Sequence, residues 1–129
     1  MIPATPASSP VFEAVFLPPF RSFVSTMPRL AHQVFFTTKD RSDETINALL
    51  DDCQTYLNDH PGLVGFAVGR CEPDYDRPVN MDFDVVLHTV FEDRAAHDAY
   101  QTAPRHLEFI ERQKPTWAEV RVFDSNLRD

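Results

Sequence analysis

The run DFDVVLHTVF, residues 82–91, is apolar on both sides of an extended chain. Side chains alternate across a strand, so Phe83, Val85, Leu87 and Phe91 fall on one face and Val86 and Val90 on the other. The run AHQVFFTT, residues 31–38, behaves the same way, with Val34 and Phe36 opposing Phe35. An antiparallel sheet with one face in water alternates cleanly between apolar and polar residues. These strands do not, so a sheet built from them requires cover on both faces.

The segments between the strands supply one cover. After the turn KDRS, Ser42 or Asp43 can cap a helix, and Asp43 and Glu44 suit the positive end of its dipole. Ile46, Leu49, Leu50, Cys53, Tyr56 and Leu57 then repeat with helical spacing along one face, and Pro61 and Gly62 stop the run. A second strand follows at 63–72, with Gly65 and Gly69 as bulge or close-approach points, then a polar loop at 73–80 and the two-faced strand at 82–91. EDRAAHDAYQTA, 92–103, reads as a second helix with Ala95, Ala96, Ala99 and Tyr100 on one side. RHLEFIERQ after Pro104 reads as a short turn, and WAEVRVFD, 117–124, as the last strand. The order β-α-β-β-α-β is the ferredoxin-like, split-βαβ α+β pattern: a four-stranded antiparallel sheet with two helices on one face. The second face is left for another copy of the same sheet, packed about a two-fold axis as a homodimer, or for the chain's own N-terminal stretch.

That stretch differs from the rest. Residues 1–28 hold six of the eleven prolines, with one acid (Glu13) and one base (Arg21), so the net charge of −8 comes from residues 29–129. It has no basic leader before an apolar run, so it does not read as a secretory signal. The expectation is a proline-rich arm at 1–28 and one domain at 29–129. Residues 1–26 are expected to be dispensable to the fold, with Val11, Phe12, Val15, Phe16, Leu17 and Phe20 docking on the domain or on a partner chain if the arm is structured.

Charge and motifs exclude several function classes. A net charge of −8 disfavours both nucleic acid and anionic membrane surfaces, and no run approaches the roughly 20 apolar residues of a membrane span. Cys53 and Cys71 form neither a CxxC pair nor a metal-type spacing, which fits a reduced, cytoplasmic setting. Asp82, Asp84 and His88 alternate along one strand face, but no HxH or HExxH spacing supports them, so no metal is expected. Gly62, Gly65 and Gly69 do not precede a helix as a phosphate loop would, and no nucleophile elbow is present.

HQVFFTTKD, HPGLVGFAVGR, DFDVVLHTVFEDRAAHDAYQTAPRHLEF and WAEVRVFD together resemble the stress-response dimeric α/β-barrel family over about residues 30–125. The resemblance implies two ferredoxin-like subunits closing a barrel between their sheets. Enzymes of this scaffold include cofactor-free plant polyketide cyclases with a Tyr-x-x-His-Pro-x-His pattern at the end of the second helix. Here the segment reads Tyr100-Gln-Thr-Ala103-Pro104-Arg-His106: the tyrosine and last histidine match, and Ala103 replaces the middle histidine. His32 fits a histidine that opens the first strand, whereas a pocket histidine of the third strand falls at Val85.

The resemblance makes Tyr100 and His106 the candidate catalytic residues. His106 would take a proton from carbon next to a carbonyl, and Tyr100 would stabilise the oxygen that gains charge. His32, Val34, Phe36, Phe83 and Val85 are the expected ligand-binding residues inside the barrel, around a small, largely apolar molecule, with no cofactor. His88 reads as structural or as facing a helix, while His60 in the HPG turn and His97 on an exposed helix face receive no role. Two alternatives stand beside this reading: a non-catalytic stress-associated homodimer, and a cofactor-free monooxygenase, which rests on fold analogy alone.

Overall fold

The computed structural model describes residues 27–128. The arm expected at the N-terminus, its dispensability and its docking concern residues 1–26, which lie outside the described residues. The elements are β1 (Leu30–Thr38), α1 (Asp43–Tyr56), β2 (Leu63–Arg70), β3 (Val85–Phe91), α2 (Arg94–Gln101), α3 (Pro104–Gln113), a 3₁₀ turn (Lys114–Thr116) and β4 (Trp117–Asn126). The strands form one antiparallel sheet in the order β2-β3-β1-β4. This is the expected ferredoxin-like arrangement.

One element exceeds expectation. The segment after Pro104, read as a short turn, is the ten-residue helix α3. Proline at the first helical position costs no hydrogen bond, because that N–H has no partner inside a helix. His106, Phe109 and Gln113 then form the buried stripe of α3. Two polar anchors hold α3 against α1. The Arg105 guanidinium donates to the carbonyls of Thr55 (2.7 Å), Asn58 (2.9 Å) and Asp59 (3.3 Å), the free acceptors at the end of α1. Asp52 of α1 accepts from Arg112 Nε (3.0 Å) and Gln113 Nε2 (2.6 Å). Burial works to raise the Asp52 pKa, but the hydrogen bonds from Arg112 and Gln113 outweigh it and hold the carboxyl below its usual range.

The faces of the sheet sort by parity. In β1, Leu30, His32, Val34, Phe36 and Thr38 are buried beneath the helices. Val85, Leu87 and Phe91 of β3 share that face with them and with Ile46, Leu49, Cys53 and Leu57 from and just after α1. Each of these fully buried aliphatic or aromatic side chains contributes about 1.5–3 kcal/mol by leaving water. Cys53 is among them as a small hydrophobe, and burial pushes its thiol up to about 12.

The other face carries Gln33, Phe35, Val86, His88, Val90, Arg121 and Phe123, and no helix among the described residues covers it. Phe83 belongs here, not with Val85. Its ring meets Phe35 with centroids 5.0 Å apart. The alternation breaks because Asp84 turns inward, accepting from Thr38 N (2.8 Å), Thr38 Oγ1 (3.0 Å) and Arg41 Nε (3.0 Å). His88 is exposed on this open face beside Gln33, so it does not face a helix.

Candidate functional site

The break between α2 and α3 builds the site. Thr102 ends α2, and Ala103 takes an extended conformation (φ −64°, ψ 141°) that suits the residue before a proline. Ala103 offers no side-chain cap to α3. The break sets Tyr100, in the last turn of α2, against His106, in the first turn of α3, with ring centroids 4.5 Å apart. Tyr100 also meets Phe91 at 4.9 Å and His60 at 4.9 Å, while His60 Nε2 is held 2.7 Å from the Tyr56 carbonyl.

Between these helices and the sheet lies an open-sided cavity of about 410 Å³. Its wall includes His32, Val34 and Phe36 of β1, Tyr100 and His106 of the helices, and Trp117 at the start of β4. No helix among the described residues reaches the far edge of the sheet, so Val120 and Val122 of β4 line the cavity while remaining 37 % and 51 % exposed. Two of the expected ligand-binding residues are absent from this wall. Val85 is wholly buried in the core under α1, and Phe83 is on the opposite face.

The location also differs from expectation. Tyr100 and His106 are carried by helices, and the helices among the described residues all lie on one face of the sheet. The side chains they meet are therefore the inward residues of β1. The cavity lies between sheet and helices within one chain, not in a barrel between two sheets.

A polar chain closes one end. His32 Nδ1 is 2.6 Å from Asp124 Oδ1 and 3.1 Å from His97 Nε2, which is 2.8 Å from Gln101 Nε2. His97, expected on an exposed face, is 8 % exposed. The inward stripe of α2 is Ala96, His97 and Tyr100, whereas Ala95 and Ala99 face solvent. Counting back three and four positions from Tyr100 would have identified it. Three polar atoms on the wall lack any protein partner while buried: Tyr100 Oη, His106 Nδ1 and Trp117 Nε1.

A family model described as the stress responsive A/B barrel domain matches residues 30–127. The chain belongs to this family. Solved structures agree on the fold. A ferredoxin-like protein of the same family from Mesorhizobium loti superposes with a TM-score of 0.65 at 24 % identity, covering 80 % of this chain and 100 % of that one. The hydroxynitrile lyase from Passiflora edulis gives 0.66 at 19 % identity, covering 79 % and 95 %. A dimeric ferredoxin-like protein of unknown function from Thermobifida fusca gives 0.67 at 15 % identity, covering 91 % and 100 %. No curated protein matches the chain. No helix among the described residues is long and apolar enough to cross a membrane.

The electrostatics of this A/B barrel domain separate its two central groups. Burial, aided by the nearby His32, His60 and His97, lowers the His106 pKa to about 4, although a hydrogen bond to the Gln101 carbonyl opposes the shift. Since His106 Nδ1 is unpartnered, that bond comes from Nε2–H, which leaves the lone pair on Nδ1. Burial raises the Tyr100 pKa above its usual value, so its proton stays on. At neutral pH one group is a neutral base and the other a hydrogen-bond donor.

Proposed function

We propose that the cavity binds a small, largely apolar molecule and that His106 and Tyr100 carry out cofactor-independent proton transfer on it, in a lyase- or cyclase-type reaction. The observation that carries this reading is the pair of unpartnered buried polar atoms, Tyr100 Oη and His106 Nδ1, on neighbouring rings of one cavity wall. An unsatisfied buried polar group costs about 1–3 kcal/mol, a cost that a bound molecule with an oxygen between them would relieve. For a β-dicarbonyl, His106 Nδ1 takes the proton from the carbon next to the carbonyl, whose oxygen gains the charge. For a hydroxynitrile it takes the hydroxyl proton, the C–CN bond breaks to leave the carbonyl compound, and the proton passes to the departing cyanide. Tyr100 donates to the oxygen on which negative charge gathers. Opposed pKa shifts in adjacent groups are how an acid and a base are kept apart at one pH. The likeness to a hydroxynitrile lyase supports the lyase side of this reading.

The same reading makes the protein a homodimer. The uncovered sheet face carries Phe35, Phe83 and Phe123 in edge contact, with Phe123 54 % exposed. An aromatic cluster of this kind marks an interaction surface, and the Thermobifida fusca relative is dimeric.

The test is turnover of a panel of hydroxynitriles and β-dicarbonyl compounds by the wild type and by His106→Ala. Solvent deuterium uptake is followed by NMR as a readout of proton abstraction that does not require the full reaction. Turnover or exchange that disappears in the variant supports the reading. Exchange that persists unchanged in His106→Ala overturns it.

A further inference from the structure

We propose that His32, His97 and Asp124 form a site for one divalent transition-metal ion, of the zinc or cobalt type, at the end of the cavity. The three residues come from β1, α2 and β4, and one donor atom of each lies within 4.8 Å of the others. Two imidazoles and a carboxylate are a donor set that borderline-soft first-row ions favour, at metal–ligand distances of about 2.0–2.2 Å.

Without an ion, hydrogen bonds hold the cluster together and fix which nitrogens keep lone pairs. An imidazole nitrogen carries either a hydrogen or a lone pair. His32 Nδ1 has two close neighbours, Asp124 Oδ1 at 2.6 Å and His97 Nε2 at 3.1 Å. If it gives its hydrogen to the carboxylate, it has nothing for His97. If it keeps a lone pair, that pair faces the carboxylate's own. In the first case His97 Nε2 keeps its lone pair and accepts from Gln101 Nε2 at 2.8 Å. A cation that replaces the His32 proton would draw on the lone pairs of all three side chains, with the 2.6 Å His32–Asp124 pair opening to admit it. The Gln101 side chain, whose oxygen and nitrogen ends exchange by rotation, can then turn its amide oxygen towards the ion, or water can fill the remaining position.

The surroundings suit a metal site. The His32 side chain is 7 % exposed and that of Asp124 45 %, so an imidazole is held rigidly while the carboxylate lies at an entrance. A second cavity, of about 390 Å³, reaches His97 and Asp124 from the side away from Tyr100 and gives an ion a path in. The site uses neither Tyr100 nor His106 as a ligand, although its three residues line the same cavity as that pair.

The test uses the folded chain after chelator treatment, titrated with Zn²⁺ by calorimetry and with Co²⁺ by visible absorption. Expected are one ion per chain, a dissociation constant on the order of micromolar or tighter, and a thermal midpoint that rises with Zn²⁺. Asp124→Asn and His97→Gln should each weaken binding about tenfold or more, and His88→Asn, on the opposite face, should leave it unchanged. Asp124 is on an edge strand and half exposed, so its variant keeps the test decisive if His97→Gln does not fold. No Zn²⁺ binding by the wild type, binding that survives Asp124→Asn, or binding lost in His88→Asn would each overturn the proposal.

Discussion

The rings of Tyr100 and His106 meet at 4.5 Å with their planes inclined by 57°, across a helix break two residues wide. Each carries a buried polar atom with no protein partner. The proposed proton transfer rests on that relationship, because a bound molecule would partner both atoms at once.

Tyr100→Phe tests that reading. The substitution removes only an unsatisfied hydroxyl, so it should leave the ligand-free fold as stable as before or raise its stability by about 1 kcal/mol. The same variant should bind or turn over the ligand at least tenfold less well, because the donor to the developing oxygen charge is gone. Thermal unfolding and turnover of the same preparation check both. A fall in melting temperature by several degrees would mean that the hydroxyl has a structural partner after all.

His106 predicts a pH dependence with a definite sign. Its pKa is about 4 in the fold against 6.5 for the ordinary side chain, and His32, His60, His97 and Tyr100 all face it. The unfolded chain therefore takes up the proton first as pH falls. Stability from this residue is complete above about pH 6.5 and is lost progressively towards pH 4. Between pH 7 and pH 5 the loss is about 1–2 kcal/mol. Urea unfolding at the two pH values should show a smaller difference in His106→Gln than in the wild type. Equal differences would show that His106 is not buried in its neutral form.

Much of this was legible in the sequence, for identifiable reasons. Strand order, α1 and the inward face of β1 follow from alternation and helical spacing, which local residues determine. Phe83 was misplaced because alternation was carried past Asp84, whose inward turn is decided by Thr38 and Arg41, 46 and 43 residues away. His97 was misplaced because the alanines of α2 suggested an apolar side, whereas burial follows Tyr100 and the core aromatic Phe91, 5.3 Å from the His97 ring. The His32, His97 and Asp124 cluster spans separations of 65 and 92 residues. No spacing rule for metal ligands reaches that far.

Gly62 controls the same site from a distance. It sits at φ +81°, and a Cβ there would lie 2.4 Å from the Cβ of Ala96. Ala96 precedes His97 on α2, so relieving the clash shifts either the Gly62 turn or the helix that carries His97 and Tyr100. Gly62→Ala should cost about 1–2 kcal/mol for the left-handed backbone alone, and more for the contact. Chemical denaturation should show the loss. Ligand or Zn²⁺ affinity should fall further than stability does, since the fold can survive a shift of α2 that the site cannot. Unchanged stability would mean that the turn adopts another conformation in solution.

Phe123 tests the dimer. It lies on the uncovered face of β4, 54 % exposed, with its ring 5.8 Å from Phe35, which in turn meets Phe83 at 5.0 Å. In a monomer, Phe123→Glu would remove an exposed aromatic and change stability by less than about 0.5 kcal/mol. In a homodimer joined through this face it would place two like charges in an apolar contact, across a two-fold axis that doubles every substitution. Light scattering after size exclusion should give a dimer for the wild type and a monomer for the variant at micromolar concentration. The cavity on the other face should then still bind Zn²⁺, because His32, His97 and Asp124 all come from one chain. A wild type that runs as a monomer would overturn the homodimer.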